Sequence, residues 1–184
     1  MTKLLSRRSA LTLGAGAALA TPLGACWRSQ AEVTDPLPEQ AFAPVPGVAG
    51  RGLVPLPPVD IARFDNRVTL LHVWATWCPT CRAEREVIAT LVDDTRYTLA
   101  GLAWRDDPEK VRAYLASIGN PYAELSLDDG YAKSKLRLVG VPTTFVIGRD
   151  RRIVKRLTGP LTVDRITLEL RPAIRTALEI PPTA

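Results

Sequence analysis

The chain has 184 residues, 46% of them hydrophobic and 23% charged, with 24 basic side chains against 19 acidic ones and a formal charge of +5. That balance excludes disorder throughout and leaves room for one packed domain of ordinary size with extra length at an end. The arginines are scattered over different predicted elements and do not gather with aromatics on one face, which argues against nucleic acid as a partner.

Residues 1–25 read as an export signal. Lys3, Arg7 and Arg8 precede an uncharged stretch from Ser9 to Ala20, and Pro22 ends it. At about 1.5 Å per residue its apolar part, about 11 to 16 residues, falls short of the roughly 30 Å hydrocarbon core of a bilayer. Ser6-Arg7-Arg8-Ser9-Ala10-Leu11 resembles a twin-arginine signal, and Leu23-Gly24-Ala25-Cys26 resembles a lipobox, which makes Cys26 the candidate for lipidation and for a membrane anchor. Cleavage near Ala25 with Cys26 left free or lost is the alternative. Seven prolines fall between Pro36 and Pro58, each fixing its own φ, so residues 26–52 are expected to form a semi-rigid, extended tether.

From residue 53 to 184 the pattern alternates between strands and helices. Val68 to Trp74 is almost continuously apolar, as expected of a central strand covered on both faces. Pro79 suits a first helical turn, and Arg82 to Val92 reads as an amphipathic helix. Tyr97 to Trp104 is the next strand. Asp107-Pro108-Glu109 is a capped helix start, and that helix runs to Ile118 before Gly119. Tyr122 to Leu127 is predicted as a strand and Tyr131 to Leu136 as a short helix. Thr143 to Ile147 and Ile153 to Leu157 make a hairpin around Gly148-Arg149-Asp150-Arg151-Arg152. Val163 to Leu178 is helical with a kink expected at Pro172. The sum is an α/β domain with a mixed sheet and helices on both faces.

Two of the three cysteines, Cys78 and Cys81, sit where the central strand meets the following helix. Backbone N–H groups at a helix start stabilise a thiolate, which makes Cys78 the expected exposed nucleophile and Cys81, one turn further in, the shielded resolving thiol. A structural zinc site needs four ligands, and no Cys or His follows Cys81. A c-type haem site needs His after the second cysteine, where Arg82 stands, and a copper site would need a distal histidine that the chain lacks. A disulfide across two residues is strained and makes a poor staple. A redox couple that needs no cofactor and no metal is left. Trp77 is expected to shape the surface beside Cys78, with plain packing as its alternative role. Pro79 and Thr80, between the cysteines, are tuning candidates. His72, the only histidine, could exchange protons with Cys81, although a satisfied core histidine is the blander reading.

Thr76-Trp77-Cys78-Pro79-Thr80-Cys81-Arg82-Ala83-Glu84, the segment from Asp106 to Tyr122, and Gly140-Val141-Pro142-Thr143-Thr144-Phe145 resemble the thioredoxin-fold, membrane-anchored thiol:disulfide oxidoreductases of cytochrome c maturation, the CcmG/DsbE family, close to the TlpA and ResA group. The resemblance spans Leu53 to Leu178. It implies that Pro142 is a cis-proline packed against the disulfide, that the backbone around Val141 is free to pair with a substrate, and that the partners are an apocytochrome c or another maturation thiol protein and a CcdA- or DsbD-like membrane thiol reductase. It also implies a periplasmic, membrane-anchored location. The family commonly carries Glu where this chain has Thr143, so Glu84 or solvent would have to assist Cys81. The alternatives are an exported thiol reductase or oxidase with other clients, and a redox-inert binding module of a maturation complex.

Overall fold

The apolar run read as a central strand is β2, Thr69–Trp74, buried at every position. A computed structural model describes residues 35–49 and 56–182. The expected export signal and Cys26 lie outside the described residues. β2 is flanked by β3, Thr98–Trp104, running parallel, and by β5, Thr143–Ile147, running antiparallel. β4, Glu124–Asp128, lies parallel beyond β3, and β6, Ile153–Thr158, lies antiparallel beyond β5. A two-residue edge strand, β1, Ala43–Pro44, completes the order β1-β4-β3-β2-β5-β6.

Because side chains alternate along a strand, β2 feeds two cores. Leu70 and Trp74 face one layer, shared with Ile88, Leu115 and Ile174. Leu71 and Val73 face the other, shared with Phe64, Tyr131 and Leu136. Helix α3, Pro108–Ile118, starts as expected: Asp107 accepts from the N–H groups of Glu109 and Lys110. The short helix α4, Tyr131–Ser134, and the hairpin between β5 and β6 also stand where the sequence places them. Among the described residues no helix is long and apolar enough to cross a membrane.

Three expectations need correction. Residues 35–49 are no free tether: Leu37, Phe42, Val45 and Val48 are buried, and β1 pairs with β4. Proline rigidity is compatible with an edge strand, which needs few N–H donors, so Pro44 sits in β1 while the apolar side chains of the segment enter both cores. The predicted helix from Arg82 to Val92 is two short helices, α1, Pro79–Ala83, and α2, Arg85–Ala89, broken at Glu84. The kink expected at Pro172 appears one turn earlier. Between α5, Val163–Arg165, and α6, Arg171–Glu179, the chain widens to a π-helical turn over Ile166–Leu170. Pro172 has no N–H for the carbonyl of Leu168, and its ring crowds that turn.

Candidate active site

The cysteine pair owes its geometry to the strand-to-helix junction. Pro79 opens α1 with its preset φ, and Cys78 becomes the N-cap residue in an extended conformation. Its side chain therefore points back over the first turn, where Cys78 Sγ accepts the N–H of Cys81 at 3.2 Å. That N–H meets the sulfur from the helix side. From the opposite side the carbonyl of Val141 lies 3.7 Å from Cys78 Sγ, and the Val141–Pro142 peptide bond is cis.

Both cysteines are free thiols, and each is only 5% exposed. Cys78 is thus not the open surface group that the sequence suggests. The carbonyl of Val141 lies against its sulfur, and little of the residue reaches the surface. Burial pushes the Cys81 thiol far above its ordinary value, with the contact to Cys78 and the charge of Glu84 acting in the same direction. The two sulfurs are therefore unequal: one is served by a backbone donor, the other is held protonated behind it.

Beneath the pair lies a buried polar chain. His72 Nε2 is 3.0 Å from Glu84 Oε1, and His72 Nδ1 is 2.8 Å from the Tyr122 hydroxyl. The second Glu84 oxygen accepts the N–H of Leu161 at 2.7 Å. The Nε2–H tautomer of His72 satisfies all of these groups, with Tyr122 donating to Nδ1 and Nε2–H donating to the carboxylate. Gly101 makes this possible. It pairs with His72 across β2 and β3, and a Cβ there would lie 2.7 Å from the Tyr122 ring. Burial, and after it the nearby charge of Glu84, pushes the Tyr122 hydroxyl well above its ordinary value, which keeps it a donor.

The remaining candidates separate by position. Trp77 is 51% exposed, donates its indole N–H to the carbonyl of Arg105, and leans on Trp104 at 5.9 Å. Pro79 and Thr80 are exposed on α1. Thr143 is buried and donates its hydroxyl to the carbonyl of Gly140 at 2.7 Å, so it braces the Val141–Pro142 loop from inside and offers no surface to a substrate. Sequence reasoning missed Asp106, whose carboxylate accepts both the N–H and the hydroxyl of Thr76 and so pins the loop that leads into Cys78. It also missed the role of Tyr122.

A dithiol split in this way, at the end of the central strand of such a sheet, is that of a thioredoxin-like thiol–disulfide oxidoreductase. The redoxin family model matches residues 43–169. Thiol:disulfide interchange protein HelX of Rhodobacter capsulatus is 36% identical over 122 residues, 64% of this chain and 67% of that one. Thiol:disulfide interchange protein CycY of Rhizobium leguminosarum bv. viciae is 30% identical over 152 residues, 82% and 81% of the two chains. A thioredoxin-family thiol:disulfide interchange protein from Chlorobium tepidum shares the fold, with a TM-score of 0.56 at 21% identity over 78% of this chain and 96% of that one. The chain belongs to the redoxin family, among the thiol:disulfide interchange proteins of the DsbE, HelX and CycY group.

Proposed function

We propose that this oxidoreductase acts outside the cytoplasm, held at a membrane through its N-terminus, and reduces disulfides in unfolded cytochrome c precursors so that their haem-attachment thiols become available. Support for the location comes from the basic, apolar and small-residue pattern of residues 1–25 and from Cys26 as the lipid-bearing residue. Support for the client comes from similarity to the CcmG/DsbE proteins.

The observation that carries the chemistry is the inequality of the two sulfurs. Cys78, supplied with the Cys81 N–H, attacks a substrate disulfide and forms a mixed disulfide with one of its sulfurs, while the other leaves as a thiolate and takes a proton. The substrate's backbone pairs along Val141 beside Pro142, with Trp77 forming the neighbouring wall. Cys81 then gives up its proton and attacks Cys78. The Cys78–Cys81 bond forms, the second substrate thiolate leaves, and a membrane thiol reductase of the CcdA or DsbD kind later returns the pair to the dithiol. His72 and Glu84 act as the positioning and proton-accepting pair for Cys81. Pro79 fixes the turn that aims both sulfurs, and Thr80 works only through its backbone.

The test is a trapping experiment. Cys81→Ala should accumulate a mixed disulfide between Cys78 and a disulfide-bonded peptide carrying two cysteines two residues apart followed by histidine. Equal trapping of unrelated disulfide peptides would point to a general exported reductase. No adduct at Cys78 with any of them would end the catalytic reading.

A further inference from the structure

The loop that delivers Cys78 is held by two consecutive residues from the end of β3. β2 and β3 run parallel, and their last paired residues are Trp74 and Ala103, so the segments that follow, Thr76–Trp77 and Arg105–Asp106, leave the sheet side by side. Asp106 binds the N–H and the hydroxyl of Thr76. Arg105 binds the next residue along, accepting the indole N–H of Trp77 on its carbonyl at 3.1 Å.

Two features of Arg105 suit it to that task. Its backbone is left-handed, with φ at 50°, a conformation that residues with a side chain adopt rarely, and from it the carbonyl meets the Trp77 indole. Its guanidinium carbon lies 5.1 Å from the centre of the Trp104 ring, and that ring lies 5.9 Å from the ring of Trp77. A cation over an indole face is attracted to it. Arg105 thus grips Trp77 twice, directly with its carbonyl and through Trp104 with its side chain. The Arg105 side chain is exposed, so core packing does not dictate where it lies. Trp77 is half exposed and directly precedes Cys78, so a loose indole there would have to be ordered each time a substrate arrived.

We infer that Arg105 is a positioning residue for thiol exchange, locking Trp77 into a preformed wall on which the substrate polypeptide rests while Cys78 attacks. The inference rests on the proposed place of Trp77 beside the substrate. A wall fixed in advance removes the entropy cost of ordering it. That advantage belongs to a polypeptide disulfide, which extends onto Trp77, and not to a disulfide with few atoms beyond its sulfurs.

Arg105→Val removes the guanidinium and disfavours the left-handed turn, whereas Arg105→Gly removes the guanidinium and keeps the turn. Two quantities are measured. One is solvent exchange of the Trp77 indole N–H. The other, in the Cys81→Ala background, is the rate at which Cys78 forms a mixed disulfide with the trapping peptide or with hydroxyethyl disulfide. Indole exchange should accelerate in Arg105→Val and much less in Arg105→Gly. Arg105→Val should slow adduct formation with the peptide by about three- to tenfold, and with hydroxyethyl disulfide by less than about twofold. The peptide-specific loss should vanish where Trp77 is already replaced by alanine. Equal slowing with both disulfides, the same loss in the Trp77→Ala background, or equally fast indole exchange in both Arg105 variants would overturn the inference. So would a wild-type rate with the peptide in Arg105→Val. If Cys78 forms no adduct with either disulfide, the proposed function fails, and the indole exchange still judges whether Arg105 holds Trp77.

Discussion

Replacing His72 with leucine removes the middle of the Tyr122–His72–Glu84 chain while keeping the strand apolar and filled. Tyr122 then has a fully buried hydroxyl without its partner, and Glu84 keeps only the Leu161 N–H. An orphaned hydroxyl costs about 1–3 kcal/mol and a lost hydrogen bond to a charged group about 1.5–3 kcal/mol. Breaking a buried pair by removing one partner costs about 3–5 kcal/mol, which agrees with that sum. For a domain of this size about 1 kcal/mol moves Tm by roughly 2–4 °C, so His72→Leu should lower Tm by roughly 6–20 °C. The assay is thermal and urea denaturation of the reduced protein, extended to a double-mutant cycle with Tyr122→Phe, which removes only the hydroxyl. A phenyl ring in that place no longer needs His72, so the two losses should be non-additive by about 1 kcal/mol or more. A loss for His72→Leu within about 0.5 kcal/mol, as at an ordinary surface site, or full additivity in the cycle, would refute the reasoning.

Asp106→Ala should free Thr76, cost about 1–3 kcal/mol in urea unfolding, and lower insulin-reduction turnover; unchanged turnover would show that the loop before Cys78 holds its shape unaided. Phe42→Ala should cost about 3–5 kcal/mol, because residues 35–49 belong to the domain; a loss near zero by denaturation would restore the tether reading. Gly101→Ala should displace the Tyr122 ring, which near-ultraviolet circular dichroism would register as a change in the aromatic signal, whereas an unaltered spectrum would contradict the close approach. Burial holds Cys81 protonated in the folded chain. Its raised value means that this contribution to stability is complete below the unfolded thiol's 9.0 and is lost as pH rises beyond it. The reduced wild type should therefore lose stability above that pH more steeply than Cys81→Ala, and parallel curves would contradict the assignment.

The features legible in the sequence are those whose causes lie close together along the chain. The apolar run of β2, the Asp107-Pro108 cap and the hairpin around Asp150 each rest on a few adjacent residues. The cysteine pair was legible for the same reason, since its donor and acceptor are three residues apart. What failed depends on distant partners. The carbonyl against the Cys78 sulfur is that of Val141, 63 residues away, so the burial of Cys78 had no local signal. Thr76 and Asp106 are 30 residues apart, and His72 and Tyr122 are 50 apart. The break at Glu84 coincides with a carboxylate turned inward toward His72 and Leu161, although its sequence neighbours suit a continuous helix. Residues 35–49 misled because proline spacing is visible along the chain, whereas the strand and cores that receive Leu37, Phe42 and Val48 come later in it.

The inequality of the two sulfurs is tested most directly by brief alkylation of the folded, reduced protein, followed by mass spectrometry of the two labelled positions. Cys78 should be modified at least about tenfold faster than Cys81, and Cys81 should catch up only after unfolding. Equal rates in the folded state, or faster labelling of Cys81, would contradict the assignment of attacking and resolving thiols.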